Sequence, residues 1–144
     1  MKKTAVIVSG YFNPLHKGHI EYFKLARKKG DLLFIIVNND NQRILKGSKE
    51  FMLEDERALI VKELKLVDKV YLSIDQDKSV SKSIQMIYDE FSSIYDLIFA
   101  NGGDQTKSKI PEADICNKLK IKMIDGLGDK IQSSSWILNK KNEN

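Results

Sequence analysis

The sequence predicts an α/β fold of the Rossmann-like class, in which a five-stranded parallel sheet carries helices on both faces. Short apolar segments alternate with segments whose apolar residues recur at helical spacing. The strand-like segments are apolar throughout, as is typical of parallel strands that helices cover on both sides. We therefore expect right-handed crossovers between successive strands and a single domain over residues 1–144.

The first two predicted strands flank a helix. Residues 4–9 (TAVIVS) form a short apolar run that predicts a buried strand. Apolar residues at helical spacing predict a helix over 17–29, and Gly30 is a good C-terminal stop for it. The clearest buried strand is predicted at 31–39 (DLLFIIVNN), and its polar end, NNDNQ, predicts a loop.

The middle of the chain continues this alternation. Residues 54–64 predict a helix whose acidic first turn complements the helix dipole. Residues 67–74 predict a third strand. In 80–91 the apolar residues fall at i, i+4, i+7, i+8 and i+11, which predicts a strongly amphipathic helix.

The last third of the chain completes the pattern. Residues 95–104 (YDLIFANGGD) predict a strand that ends in a glycine turn, and Pro111 is suited to the start of a helix over 111–120. Residues 121–125 (IKMID) predict the fifth strand, and a final helix is predicted to begin near SSSW (133–136). Polar loops that follow parallel strands gather at one edge of such a sheet, where ligands bind.

Composition restricts the class of protein. The 144 residues are 42% hydrophobic and 31% charged, an ordinary globular balance. No apolar run reaches 18 residues, so no membrane span is predicted, and the single Cys116 fits a reducing, cytoplasmic location. The net charge of +4 leaves nucleic-acid binding open. Since the basic residues are spread along the chain, we expect no nucleic-acid partner and favour a pocket for small polyanions.

Both histidines of the chain lie in one strand-to-helix corner, SGYFNPLHKGH. His16 and His19 are three residues apart and are therefore neighbours on the first helical turn. A helix N-terminus attracts phosphate, and imidazoles donate hydrogen bonds to phosphate oxygens as neutral rings or as cations. Gly18 removes an obstructing side chain, and Gly10 allows the backbone to approach a ligand. A capped surface turn is the structural alternative, and a zinc site lacks further ligands.

The corner resembles the signature of the nucleotidyltransferases of the cytidylyltransferase-like superfamily, Gly-x-Phe-Asp-x-x-His-x-Gly-His. Five residues match it in register: Gly10, Phe12, His16, Gly18 and His19. Asn13 stands where the family usually has Asp. In length and motif order the chain is most similar to the glycerol-3-phosphate cytidylyltransferase and heptose-phosphate nucleotidyltransferase types.

The resemblance extends along nearly the whole chain and implies further site residues. The segment after the second strand matches the family's lysine-bearing loop and implies a catalytic Lys46, with Asp40, Lys49 and Arg57 as acceptor contacts. The turn NGGD resembles the Gly-Gly-Asp of heptose-phosphate enzymes, and QSSSWI resembles the family's late serine motif. The nucleotide contacts implied in this way are Gly10, Tyr11, Phe12, Gly18, Asn101, Gly102, Asp104, Gln132, Ser133, Ser134 and Ser135.

The resemblance implies a reaction in which an acceptor phosphate or phosphonate attacks the α-phosphate of a nucleoside triphosphate and pyrophosphate leaves. His16, His19 and Lys46 would stabilise the charge, and Mg²⁺ would bridge the substrate phosphates without a protein metal site. CTP is the expected nucleotide. Many relatives carry an arginine where this chain has Gly128, and Lys130 is the candidate replacement.

Several alternatives to a cytidylyltransferase stay open at this point. ATP-dependent adenylyl transfer to a sugar phosphate or to pantetheine phosphate is the first, because NGGD is shared with ATP-using heptose-phosphate enzymes. A non-catalytic nucleotide sensor on the same fold is the second, and RNA binding is the third. Relatives are commonly dimers, so a homodimer is expected.

Overall fold

The computed structural model of the chain describes residues 2–102 and 110–127. The strands in these residues are β1 (Lys3–Gly10), β2 (Leu32–Val37), β3 (Lys69–Leu72), β4 (Tyr95–Gly102) and β5 (Lys122–Leu127). The helices are α1 (Lys17–Arg27), α2 (Asp40–Lys46), α3 (Glu54–Lys62), α4 (Ser81–Phe91) and α5 (Ala113–Leu119). The strands pair in parallel in the order β3-β2-β1-β4-β5. The predicted fold class is confirmed.

The two faces of the sheet bury two separate apolar cores, because successive residues of a strand point to opposite sides. Ala5 and Ile7 of β1 pack with α4 and α5. Val6 and Val8 of the same strand pack with α1 and α3. The apolar stripe predicted on α4 faces the first core, and its Ile84 is fully buried. Helices on both faces therefore leave only the edges of the sheet open to ligands.

The strand order reverses between β1 and β4. The chain runs outward from β1 to β3 on one side and then crosses back to place β4 on the other side of β1. Gly10 ends β1 and Gly102 ends β4 at this point. Such a reversal leaves a crevice at the carboxyl edge of a parallel sheet, which is the usual ligand site of the fold.

Residues 40–46 form helix α2 where the sequence predicted a polar loop. Asn39 accepts a hydrogen bond from the backbone N–H of Gln42, and the Gln42 side chain accepts one from the N–H of Asn39, which completes a capping box. Gly47 ends the helix at φ 82. The prediction was wrong because α2 lacks an apolar buried face: its one buried residue is Gln42. Lys46 is thus the last residue of a helix, not a loop residue.

Most other predicted elements are present with shorter bounds. The strand predicted at 31–39 covers Leu32–Val37, and the one predicted at 67–74 covers Lys69–Leu72. The glycine turn after β4 and the final helix predicted near 133 lie outside the described residues. Among the residues that are described, no helix has the length and apolarity needed to cross a membrane.

Candidate active site

Two cavities open side by side at the carboxyl edge of the sheet. The residues that line both are Ser9, Gly10, Tyr11, Tyr22 and Lys46. The first has a volume of about 510 Å³ and is also lined by His19 and Lys49; we call it the histidine cavity. The second has a volume of about 420 Å³ and is also lined by Lys78, Asn101 and Glu112; we call it the glutamate cavity. The site therefore has room for two ligands that meet at shared residues.

The two imidazoles cap the start of helix α1. His16 is the N-cap residue, and its Nδ1 accepts a hydrogen bond from the backbone N–H of Gly18 at 3.0 Å. His19, at the third helical position, accepts through its own Nδ1 from the N–H of His16 at 3.1 Å. The ring centroids are 3.9 Å apart. This is a capping box made by two histidines, in positions where Ser or Thr and Glu or Gln are usual.

The capping box changes what the corner offers to a ligand. The sequence predicted free N–H groups at the helix N-terminus, and a nucleotide contact at Gly18. In the structure the N–H groups of Gly18 and His16 are occupied by the imidazoles. Because Nδ1 of each ring is the acceptor, the proton of each neutral ring is assigned to Nε2. The corner therefore offers Nε2–H donors from fixed rings rather than these two backbone N–H groups.

Both rings are held in the neutral state. Burial lowers the pKa of His16. Burial lowers the pKa of His19 to about 4, with smaller contributions from His16 and the ammonium of Lys46. The sequence left neutral and cationic rings equally open, and the structure favours neutral ones at pH 7. Positive charge at this site accordingly comes from lysine.

Phe12 supports His19 from the core side. Its ring is 2% exposed and meets the His19 ring edge to face, with centroids 5.0 Å apart. A Cβ atom on Gly10 would lie 2.7 Å from the Phe12 ring, so the packing of Phe12 itself requires glycine at that position. The sequence attributed Gly10 to close approach of a ligand, and this packing is a second reason for it. Phe12 thus fixes the position of His19.

Lys46 lies at the boundary of the two cavities. Its ammonium stands 4.5 Å from the centroid of the Tyr11 ring, in a cation–π contact. The Tyr11 hydroxyl donates to the backbone oxygen of Gln42 at 3.3 Å, which ties the ring to α2. Desolvation lowers the pKa of Lys46. A lysine that lines both cavities is suited to reducing repulsion between two anionic ligands.

Arg57 lies beneath the site and lines neither of the two cavities. It is fully buried and donates to the backbone oxygens of Tyr11, Asn38 and Met52. Its remaining nitrogen pairs with Asp40 at 2.8 Å. The sequence assigned Arg57 and Asp40 to the acceptor. Each guanidinium nitrogen has a protein partner, and the pair joins the segments after β1 and β2 to the start of α3. A contact of the pair with the acceptor stays a prediction.

Asn13 holds the segment that carries Lys49. Its Nδ2 donates to the backbone oxygen of Lys49 at 2.6 Å, and its Oδ1 accepts from the N–H groups of Phe51 and Met52 at 3.1 and 3.0 Å. We call these three bonds the Asn13 clamp. The aspartate that is usual in the family would supply the acceptor but, when ionised, no donor. The departure from the family motif thus has a local structural explanation.

Some residues of the site carried no recognisable signal in the sequence. Asn101 and Gly102, which the resemblance assigned to nucleotide binding, line the glutamate cavity. Tyr22, Lys78 and Glu112 line it as well, and none was anticipated. The Tyr22 hydroxyl donates to a backbone oxygen of β4 at 2.7 Å, which joins α1 to the centre of the sheet. In the sequence, Tyr22 cannot be told apart from other aromatic residues of a helix, and Glu112 cannot be told apart from an exposed acidic residue.

The remaining expected contacts belong to parts of the chain that are not described. Asp104 follows the end of β4, and the late serine motif with the Gly128 substitution follows β5. The positions concerned are Asp104, Gly128, Lys130, Gln132, Ser133, Ser134 and Ser135. Their contacts to the nucleotide stay predictions.

Comparison with known proteins identifies the family. The family model for cytidylyltransferase-like proteins matches residues 7–136. FAD synthase of Thermoplasma volcanium is 32% identical over 136 residues, which cover 94% of this chain and 92% of that protein. Bifunctional protein HldE of Aliarcobacter butzleri is 32% identical over 127 residues, which cover 86% of this chain but 25% of that protein. The chain thus spans about a quarter of the length of its HldE relatives.

A solved structure supports the same assignment. The lipopolysaccharide core biosynthesis protein of Thermoplasma volcanium superposes with a TM-score of 0.65 at 27% identity, covering 85% of this chain and 95% of that one. The two proteins therefore share the fold over most of their lengths. With the sequence match over most of its length and the histidine corner in place, this chain belongs to the cytidylyltransferase-like family of nucleotidyltransferases.

Proposed function

We propose that the chain is an adenylyltransferase, which transfers AMP from ATP to a phosphate oxygen of a small phosphorylated acceptor and releases pyrophosphate. The observation that carries the proposal is the histidine capping box, because it fixes an Nε2–H donor on a neutral ring at the cavity beside Lys46 and Lys49. Donors fixed in advance stabilise charge that develops on a phosphoryl group, with little covalent help from the protein.

The reaction needs two anions to approach each other. The acceptor phosphate oxygen attacks the α-phosphorus and forms a new P–O bond. The bond from the α-phosphorus to its bridging oxygen breaks, and the electron pair leaves with pyrophosphate. No proton has to be removed, because the acceptor phosphate is already an anion. In our assignment the nucleotide occupies the glutamate cavity, which Asn101 and Gly102 line, and the acceptor occupies the histidine cavity, which Lys49 lines. The α-phosphate lies where the two cavities meet.

Each side chain in this assignment has one role. His19 donates from Nε2 to an oxygen of the α-phosphate, and His16 holds the corner and donates beside it. Lys46 lies between the two substrates and offsets their mutual repulsion. Lys49 contacts the acceptor in the histidine cavity, which it lines. The described residues thus supply binding and charge stabilisation.

ATP is proposed in place of the CTP that length and layout first suggested. The FAD synthase relative, which the match covers almost completely, is named for a product that contains an AMP unit. The NGGD turn of this chain also resembles that of ATP-using heptose-phosphate enzymes. CMP transfer becomes the alternative that the assay must distinguish.

Magnesium is proposed as a cofactor held chiefly by the substrates. Among residues 2–102 and 110–127, no three His, Cys, Asp or Glu side chains are grouped closely enough to hold a metal ion. This part of the chain fits an ion whose ligands are phosphate oxygens and water, which is common for Mg²⁺. When bound, Mg²⁺ would offset the negative charge of the phosphates.

Pyrophosphate release tests the proposal directly. ATP and CTP are each supplied with Mg²⁺ and with glycerol 3-phosphate, a hexose phosphate, pantetheine phosphate or FMN as acceptor. We expect release with ATP and one acceptor, at a kcat/KM at least tenfold above that with CTP. Preference for CTP would restore the cytidylyltransferase assignment. Tight ATP binding without release for any acceptor would support the non-catalytic sensor.

A pair of lysine variants provides a matched control. Lys46 ends α2 and Lys62 ends α3, and both residues are exposed. Lys46 lines both the histidine and the glutamate cavity, whereas Lys62 lines neither of these two. Lys46→Ala should reduce kcat/KM by about 100-fold, as expected for the loss of a charged contact. Lys62→Ala should leave it unchanged. Equal effects of the two substitutions would remove Lys46 from the mechanism.

A further inference from the structure

Helix α2, which ends in Lys46, buries no apolar residue. Its two large apolar residues, Ile44 and Leu45, are 62% and 50% exposed. Its one buried residue is Gln42, which is fully buried and lies four positions before Lys46, about one helical turn away. Surface helices are usually held in place by an apolar face. The position of Lys46 therefore depends on the polar contacts of α2, and those of Gln42 are the most deeply buried.

The side chain of Gln42 uses its whole hydrogen-bonding capacity. Its Oε1 accepts from the Asn38 side chain at 3.1 Å and from the backbone N–H of Asn39 at 3.0 Å. Its Nε2 donates to the backbone oxygens of Asp77 and Ser79 at 2.8 and 2.7 Å. An amide has two donor hydrogens and one oxygen with two lone pairs, so no capacity remains for a ligand. Gln42 thus links α2 to the segment that follows β3.

The segment that Gln42 binds is part of the wall of the glutamate cavity. Lys78 lies between the two bonded oxygens, and both Lys78 and Val80 line that cavity. The Asp77 carboxylate accepts from the N–H and the hydroxyl of Ser79 at 3.0 and 2.8 Å, which closes a turn. This part of the wall is therefore a closed turn whose place beside α2 is fixed in part by a single buried amide.

The backbone of Gln42 contacts the other support of Lys46. Its carbonyl oxygen accepts from the Tyr11 hydroxyl at 3.3 Å, and the Lys46 ammonium stands 4.5 Å from the centroid of the Tyr11 ring. One residue is thus joined to the cavity wall through its side chain and to the aromatic ring at Lys46 through its main chain. A shift of Gln42 would move the lysine relative to both.

We infer that Gln42 is a positioning residue for nucleotidyl transfer, which holds the helical turn of Lys46 against the wall of the glutamate cavity. The inference rests on the proposed function, in which Lys46 lies between the nucleotide and the acceptor. Gln42 itself touches neither substrate, because it is fully buried and lines neither cavity. Loss of its link acts through Lys46, whose ammonium is then no longer held where the two cavities meet.

Gln42→Glu separates this role from helix capping. Glu is a usual residue at this position of a capping box, so the variant keeps the acceptor for the Asn39 N–H. It weakens the link to the cavity wall, because an ionised carboxyl has no donor and a protonated one has one donor instead of two. We expect kcat/KM for ATP to fall about tenfold, as for the loss of a buried hydrogen bond. A normal kcat/KM would show that Gln42 only caps α2.

A double-mutant cycle with Lys46→Ala tests whether the effect passes through the lysine. If it does, adding Gln42→Glu to the Lys46→Ala protein should change kcat/KM by less than about twofold. The effects of independent sites add, whereas those of coupled sites do not. A fall of about tenfold in both backgrounds would therefore overturn the inference.

Asp68→Ala is the control for a general loss of stability. Asp68 precedes β3 and accepts from the backbone N–H of Leu33 at 2.8 Å, at the edge of the sheet opposite the cavities. Its substitution should lower the free energy of unfolding and leave kcat/KM unchanged. If Asp68→Ala lowers kcat/KM as much as Gln42→Glu does, activity follows stability alone and the inference is overturned.

Asp77→Ala applies the same test without altering the buried amide. Asp77 is exposed, so the variant should fold, and it removes the two bonds that close the turn. We expect a fall in kcat/KM of about threefold that is absent in the Lys46→Ala background. If Gln42→Glu does not fold, an unchanged kcat/KM of Asp77→Ala overturns the inference.

Calorimetric titration with ATP and Mg²⁺ separates failure of the inference from failure of the proposed function. If the wild type releases pyrophosphate but the cycle shows no coupling, the inference fails and the adenylyltransferase stands. If no acceptor gives pyrophosphate, the same cycle is measured on the dissociation constant for ATP. When Gln42→Glu weakens ATP binding in the wild type but not in Lys46→Ala, the positioning role stands and the proposed activity fails.

Discussion

The histidine corner and the lysine segment of residues 40–57 both contribute residues to the lining of the histidine cavity, and they are held by contacts of very different range. In the corner, the hydrogen bonds that orient the rings join residues two or three positions apart. In the lysine segment, the Asn13 clamp and the Arg57 contact to Tyr11 join residues 36 to 46 positions apart. The hydrogen bonds that orient the two rings are thus local, while those that position the lysine segment join distant parts of the chain.

This difference has an energetic consequence. In the corner, the hydrogen bonds that orient the rings need no distant partner. A segment held by distant partners takes its position only when β1, β2 and α3 are packed together. Substitutions in the two regions should therefore separate loss of chemistry from loss of stability or of substrate affinity.

The largest effect is expected for Arg57→Met, which removes the buried link between the segments. Three backbone oxygens and Asp40 lose their partner, and we expect a loss of about 3–5 kcal/mol in the free energy of unfolding. Urea unfolding measures it, with Lys62→Met as the exposed control. A stable Arg57→Met protein whose only defect is a raised KM for the acceptor would instead support the acceptor contact that the sequence suggested.

The next largest effect is expected for His19, and two variants separate its catalytic role from its role in capping α1. Both His19→Ala and His19→Gln should lower kcat by about 100- to 1000-fold, because Ala has no donor and the flexible Gln amide does not hold its N–H groups at the position of the ring Nε2–H. Gln is a usual capping-box residue at this position, so His19→Gln should keep the stability that His19→Ala loses, about 1 kcal/mol. Near-normal turnover of His19→Gln would show that the imidazole is not required for catalysis and that the side chain only stabilises the start of α1.

Asn13→Asp should have a smaller effect, which is confined to the lysine segment. The variant loses the donor to the Lys49 oxygen, and we expect about a tenfold rise in KM for the acceptor with kcat within about threefold of the wild type. Because the introduced carboxyl regains a donor when it is protonated, the defect should shrink as the pH falls towards the usual pKa of an aspartate, about 4. A purely structural defect would not recover in this way.

The smallest effect at neutral pH is expected from titration of the histidines themselves. The pKa of His19 is lowered to about 4, against about 6.5 in the unfolded chain, so the unfolded state binds more protons between these values. This contribution to stability is fully present above pH 6.5 and is lost as the pH falls towards 4. NMR titration of the imidazole protons checks it, and a His19 midpoint near 6.5 would contradict the neutral assignment.

The sequence could predict what depends on neighbouring residues. The alternation of strands and helices, the buried face of α4 and the histidine corner all follow from spacing along the chain. It could not predict the direction in which Arg57 points, because that depends on backbone oxygens of the segments after β1 and β2, which the sheet brings together. The positions of Lys46, between the two cavities, and of Glu112, in one of them, likewise depend on cavities that exist only after the chain has folded.

The capping box by two histidines also restricts how this protein can be made more heat-resistant. Ser at position 16 and Glu at position 19 are the usual residues of a capping box and would be an obvious choice for stabilising the start of α1. These substitutions would, however, remove both imidazoles from the enzyme. The N-cap residue of α3, Leu53, makes no capping hydrogen bond through its side chain and is exposed. Thermostability engineering should therefore begin with Leu53→Ser, which lines neither cavity, and leave the ring pair untouched.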